Sequence, residues 1–174
     1  GYIAPAECLE VRVTLTDDER MTYALADPDV RYRLASTAAS KTRVVEDLVR
    51  AHAGQPRLVI GQYVDQLDEI ATHLGADIIT GDTTTRERER LYNAFRHGEI
   101  DLLVVSKVAN FSVDLPTAEV AIQVSGQFGS RQEEAQRLGR ILRPKDGITA
   151  RSNAVVARDT VDADEWADGK ENDR

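Results

Sequence analysis

Among its 174 residues the chain has one cysteine and three histidines, and no apolar run approaches the roughly 20 residues that a membrane-spanning helix needs. A single cysteine, Cys8, excludes an internal disulfide, and its place between Glu7 and Leu9 in a strand-like run predicts a packed side chain. His52, His73 and His97 are scattered, each near the end of a predicted helix. There they are expected to cap or solvate helix ends rather than bind metal, so no metal site is expected. Two further absences decide more. Ser40, Lys41 and Thr42 resemble the tail of a phosphate-binding loop, but no glycine lies near them, so no loop of free amides can cradle a phosphate. Nor is there an acidic box for Mg²⁺; the nearest acidic run, at 162 to 165, falls near the chain end. Phosphoryl transfer needs both the cradle and the metal site, so the chain alone is expected not to hydrolyse ATP. The first residue is Gly1 rather than Met, and no signal-peptide pattern opens the chain. The expectation is a piece of a longer polypeptide from a reducing, cytoplasmic setting.

Positive charge is also short, with a formal net charge of -8, which argues against a broad nucleic-acid-binding surface. The charge is unevenly spread. Residues 158 to 174 carry seven acids against three bases, whereas residues 131 to 145 carry five bases against two acids. Any nucleic-acid contact is therefore expected to be local, made by loop amides and a few side chains. A hydrophobic content of 41% is ordinary for one globular domain of this length.

What is present is a regular alternation. The runs at 57 to 61, 77 to 80, 101 to 105, 119 to 124 and 153 to 157 are rich in Val, Ile and Leu and read as strands. Between them Val64, Leu67, Ile70, Ala71 and Leu74, then Leu91, Ala94 and Phe95, recur at helical spacing. Thr84 with Glu87 forms a capping-box pattern, and the second helix is expected to end near Gly98. Upstream, residues 8 to 15 alternate like a strand, and Thr16 with Glu19 fits another capping box ahead of a helix containing Met21, Ala24 and Leu25. Residues 26 to 29 read as a turn, and a longer helix is predicted from about Ser40 to His52. Near-continuous apolar strands separated by helices indicate a mostly parallel sheet covered on both faces. In such sheets ligands sit outside the carboxyl ends of the strands, which is where the unusual polar sequence lies: 61 to 62, 80 to 85, 106 to 116 and 125 to 132.

A last helix is predicted over 130 to 142, capped by Ser130 with Glu133 and stopped by Pro144. At about 100° per residue Gln136, Arg140 and Arg143 fall within about 60° of each other, so their polar ends can converge on one anion. Arg137 points about 100° away from Gln136, which suits a structural ion pair or a DNA contact. Taken alone, such a helix could equally be a solvated basic face.

The segments LVIGQY, ITGDTTTRERERLYNAFRHGEIDLLVVSKVANFSVDLP and AIQVSGQFGSRQEEAQRLGRILRPK resemble, in order and spacing, the later motifs of superfamily 2 helicases. QRLGRILR and SKVANFSVDLP resemble more narrowly the XPB-type DNA repair helicases in a bacterial version. The resemblance covers roughly residues 1 to 160. It implies an α/β, RecA-like three-layer domain, the C-terminal half of an ATP-dependent DNA helicase or translocase. Residues 1 to 56 would lead into a core at 57 to 158, the whole forming one domain, and 159 to 174 would be an acidic, disordered tail. ATP and Mg²⁺ would be held by a missing N-terminal RecA-like domain of the same polypeptide, with DNA and other repair proteins as partners. The isolated chain would be a monomer, with no membrane association.

By the same resemblance Arg140 and Arg143 match the motif arginines that act as fingers, Gln136 the glutamine near the γ-phosphate, and Asp114 the acid facing nucleotide. A turn or helix-start cap ahead of Pro116 is the alternative for Asp114. Gly61, Gln62, Gly81, Asp82, Thr83, Ser106 and Lys107 place amides, hydroxyls and one ammonium at strand ends, groups suited to sugar-phosphate oxygens. Arg86, Arg88 and Arg90 alternate with Glu87 and Glu89, as in a solvated helix laced with ion pairs. Arg88 also occupies a motif-arginine position, although Thr85 replaces the usual glutamine three residues earlier. Two other readings stay open: another superfamily 2 motor, such as an RNA helicase or remodelling translocase, and a non-catalytic domain that binds nucleic acid or protein.

Overall fold

Six strands pair in one sheet in a computed structural model that describes residues 7–106, 118–125, 142, 150–158 and 160. They are β1 (Glu7–Val13), β2 (Arg57–Gly61), β3 (Asp77–Ile79), β4 (Leu102–Ser106), β5 (Val120–Gln123) and β6 (Arg151–Ala157). Their order is β1-β6-β5-β2-β4-β3, and every pairing is parallel. The helices are α1 (Asp17–Leu25), α2 (Pro28–Ser36), α3 (Ala39–Ala51), α4 (Val64–Leu74) and α5 (Thr85–Arg96).

The apolar runs are continuous because both faces are covered. In β2, Val59 packs with Val45 and Val49 of α3 and with Leu67 and Ile70 of α4. Its neighbours Leu58 and Ile60 point the other way, against Leu91, Tyr92 and Phe95 of α5. Each such side chain, buried in full, contributes about 1.5–3 kcal/mol of transfer free energy. The N-terminal region joins the same sheet, with β1 in register along β6 from Glu7↔Arg151 to Val13↔Ala157. From β2 the chain moves outward to β3 and returns to β4, whereas β5 leads the other way to β6. The winding direction therefore reverses between the neighbours β2 and β5, the kind of place where open α/β sheets bind ligands.

Local signals hold to different degrees. The Thr16 capping box is complete: Glu19 N–H donates to Thr16 Oγ1 at 3.2 Å, and Thr16 N–H to Glu19 Oε1 at 3.3 Å. The Thr84 box is only half formed. Thr84 Oγ1 accepts from Glu87 N–H at 3.2 Å, but the Glu87 carboxylate turns to Arg90 Nε at 2.9 Å, a charged donor that outcompetes a neutral amide. The turn expected at 26 to 29 is instead the entry to α2, with Pro28 in its first turn. That helix has no apolar stripe to reveal it, since only Ala35 and Ser36 are buried. It is held by a buried tertiary bond, Gln66 Nε2 donating to the Ser36 carbonyl at 2.7 Å, to which the exposed Arg33–Asp65 pair at 3.1 Å adds little.

Leu142 corrects the end of the predicted last helix. It forms a parallel bridge with Ala118, a pairing that needs extended backbone at Leu142, and is buried with Ala121 and Ala150. The Ser130 cap, Asp114, Gln136, Arg137, Arg140, Arg143, Lys107, the Cys8 side chain and the acidic tail apart from Thr160 lie outside the described residues; Thr160, expected in that disordered tail, is buried and donates to the Ala157 carbonyl at 2.9 Å.

Candidate nucleotide and nucleic-acid interface

Strand β2 ends at Gly61, which pairs across with Ser106, the last residue of β4. Ser125 lies on the other side, just beyond β5. A Cβ on Gly61 would stand 2.8 Å from Leu67 Cδ2, 2.8 Å from Val124 Cγ1 and 2.9 Å from Ser125 Oγ. Only glycine fits there. Gln62 follows, exposed at the rim, and its N–H donates to Ser125 Oγ at 2.9 Å. Ser106 and Ser125 are each 2% exposed, so they line the floor of the strand ends while Gln62 stands above it.

After β3 the loop closes on itself. Thr80 N–H donates to Thr83 Oγ1 at 2.9 Å, Thr83 N–H to the Thr80 carbonyl at 3.2 Å, and Asp82 N–H to Thr80 Oγ1 at 3.2 Å. Gly81 and Asp82 are exposed at its tip, and the chain enters α5 through the Thr84 cap. Here a carboxylate sits beside amides at a helix N-terminus. The bond from Arg90 holds the Glu87 carboxyl below its usual range and raises Arg90 in turn.

Arg88 departs from the solvated face expected for this segment. Arg86 and Arg90 are exposed, whereas Arg88 is half-buried and its Nε is enclosed without a hydrogen-bond partner. The sequence carried the signal: Arg88 precedes the buried residues Leu91, Tyr92 and Phe95 by three, four and seven positions, the stripe facing the sheet. Ser125 had no comparable signal, because its partner is 63 residues away.

Ser40, Lys41 and Thr42 belong to the packing of α3. Ser40 donates to the Glu19 carboxylate, Thr42 Oγ1 donates to the Ala38 carbonyl at 3.4 Å, and Lys41 is fully buried and engaged. A cavity of about 640 Å³ opens at the opposite end of the sheet, lined by Arg57, His73, Asp77 and Asp101 among others. It is no match for a polar ligand site, because Arg57 already donates to the carbonyls of Val49 and Gln55 and pairs with Asp101. His73 Nδ1 is likewise 2.6 Å from Glu46 Oε1. His52 and His97 occupy the C-caps of α3 and α5. Among the described residues no group of three His, Cys, Asp or Glu could hold a metal, and no helix is long and apolar enough to cross a membrane.

A parallel sheet covered by helices on both faces places the chain in the RecA-like α/β fold class. The C-terminal domain of the DEAD-box protein Dbp5 has the same fold, with a TM-score of 0.70 at 15% identity over 98% of this chain and 87% of that one. Residues 1–165 match the ERCC3/RAD25/XPB C-terminal helicase model, and the chain belongs to that family. It is 68% identical to the DNA 3'-5' helicase XPB of Kineococcus radiotolerans and 63% identical to that of Mycobacterium tuberculosis, in each case over 94% of this chain and 30% of the relative. The chain therefore spans about a third of the length of these curated relatives.

Proposed function

We propose that the chain is the C-terminal motor domain of an ATP-dependent DNA helicase or translocase acting in DNA repair in the cytoplasm. The observation that carries this reading is the family match, which runs through the arginine-bearing stretch from 130 to 144. The fold agrees with it. Among the described residues the fully buried Lys41 keeps the Ser40–Thr42 run from serving as a phosphate cradle, which suits a motor whose ATP and Mg²⁺ are held by an N-terminal RecA-like domain of the same polypeptide.

ATP supplies the phosphoryl group whose transfer to water drives the motor. Arg140 and Arg143 act on it from across the domain interface, stabilising charge on the transferring group, and Gln136 orders the γ-phosphate side. Such fingers contribute about 10³ to 10⁵ in rate in other NTPases. The role of Arg143 rests on the motif match. Asp114 faces the same interface.

DNA backbone contacts fall to Gln62, Gly81, Asp82, Thr83 and Lys107, above a buried Gly61. The exposed rim formed by Gln62, Gly81 and Asp82 supports this assignment for the described residues. Buried Ser106 supports the strand end beneath. Few cations serve this track, so the half alone binds DNA weakly.

Steady-state ATP turnover with and without DNA tests the reading. The isolated chain is expected to show none, and the full polypeptide a DNA-stimulated rate. Turnover by the isolated chain would overturn the half-motor assignment.

A further inference from the structure

The loops at the carboxyl ends of the strands are not anchored alike. The loop after β3 is tied by bonds among its own residues, Thr80 to Thr83. The loop after β2 is tied to a different strand. Along the β2–β5 ladder the last backbone rung runs from Val124 N–H to the Ile60 carbonyl at 2.9 Å. The next donor, Gln62 N–H, has passed the end of β5, and the Ser125 hydroxyl takes it at 2.9 Å. Gly61 makes this contact tight, since Leu67, Val124 and Ser125 together occupy the space of a Cβ. Ser125 is 2% exposed.

From these contacts we propose that Ser125 is a positioning residue that couples DNA contact to ATP turnover, by fastening the main chain of Gln62 to the end of β5. The inference rests on the proposed function, in which Gln62 touches the DNA backbone and the chain beyond Ser125 leads to Gln136 and Arg140. Its physical basis is the placement at the winding reversal. On one side of the Gln62–Ser125 bond the sheet connects toward β3 and the DNA-contact loops; on the other it connects toward the arginine-bearing stretch. A displacement of Gln62 by bound DNA is passed to Ser125 through one hydrogen bond and a packed glycine. A weaker tether would let the loop hold DNA without moving the chain beyond β5.

The test uses the full polypeptide as wild type, Ser125→Ala and Ser125→Thr, with ATP turnover measured with and without a duplex bearing a single-stranded overhang. DNA affinity and the unfolding midpoint are measured alongside. In Ser125→Ala the ratio of DNA-stimulated to basal turnover is expected to fall by about fivefold or more, the size of an ordinary coupling between sites. DNA affinity should change less than that ratio, and Ser125→Thr, which keeps the hydroxyl, should recover most of it. A wild-type ratio in Ser125→Ala would overturn the inference while leaving the proposed function standing. An equal fall in basal and stimulated turnover would also overturn it, marking Ser125 as merely structural. A wild-type polypeptide whose turnover ignored DNA would remove the proposed function and the coupling with it.

Discussion

Arg57 fastens three elements at once. Its Nη1 lies 2.7 Å from the Val49 carbonyl near the end of α3, its Nε 3.0 Å from the Gln55 carbonyl, and its Nη2 2.9 Å from Asp101 ahead of β4. Asp101 is half exposed, so the ion pair itself contributes little. The larger effect is on the carbonyls, which lose a charged donor in a buried setting. Arg57→Ala is expected to lower stability by about 2–3 kcal/mol, read as a lower denaturant midpoint at unchanged slope. A shift below about 0.5 kcal/mol, typical of a surface change, would contradict this clamp. In the sequence Arg57 is only the first residue of a strand run, and Ser125 only one serine in a polar stretch. Their roles depend on partners 44 and 63 residues away, which local spacing does not register. Arg88 was legible in principle, because its spacing to Leu91, Tyr92 and Phe95 is local, but its alternation with Glu87 and Glu89 concealed it.

Helix starts show where local chemistry suffices. Thr16 and Glu19 form their box as the sequence predicts, and Ser40 at the start of α3 adds a further donor to the same carboxylate. Burial raises the Glu19 carboxyl, but bonds from Ser40 and Thr16 outweigh it and hold the group below its ordinary range. A folded-state pKa that is depressed stabilises the fold above the unfolded value, and the contribution is lost as pH falls through the folded one. The unfolding midpoint should therefore drop as pH falls below the usual glutamate range, and less steeply in Glu19→Gln, which keeps an acceptor but not the charge. Parallel acid profiles for the two proteins would contradict the assignment. By contrast α2 escaped sequence reading because its buried tertiary bond, Gln66 to Ser36, comes from α4 rather than from its own periodicity. The half-formed box at Thr84 was misjudged for a similar reason, since Arg90 one turn later competes for Glu87.

For the whole molecule, the parallel α/β architecture was legible because strands buried on both faces must be apolar at every position, as Leu58, Val59 and Ile60 are. Strand order was not, because no local feature distinguishes a strand that pairs in the centre from one that pairs at the edge. The polar rim followed from the rule that ligands sit at carboxyl strand ends, and Gly61, Gln62, Gly81 and Asp82 do lie there. We propose Arg140, matched by motif, as the residue this half supplies to ATP bound by the other. Its most direct test is kcat at saturating ATP and DNA for Arg140→Ala and Arg140→Lys in the full polypeptide, with the unfolding midpoint measured on the same samples. Both variants are predicted to lose about 3 kcal/mol or more of transition-state stabilisation, on the order of 100-fold in kcat, while the midpoint stays within the range of a surface substitution. The Lys variant fails with the Ala one because a point charge does not replace a planar fork. Wild-type turnover in both would contradict the account.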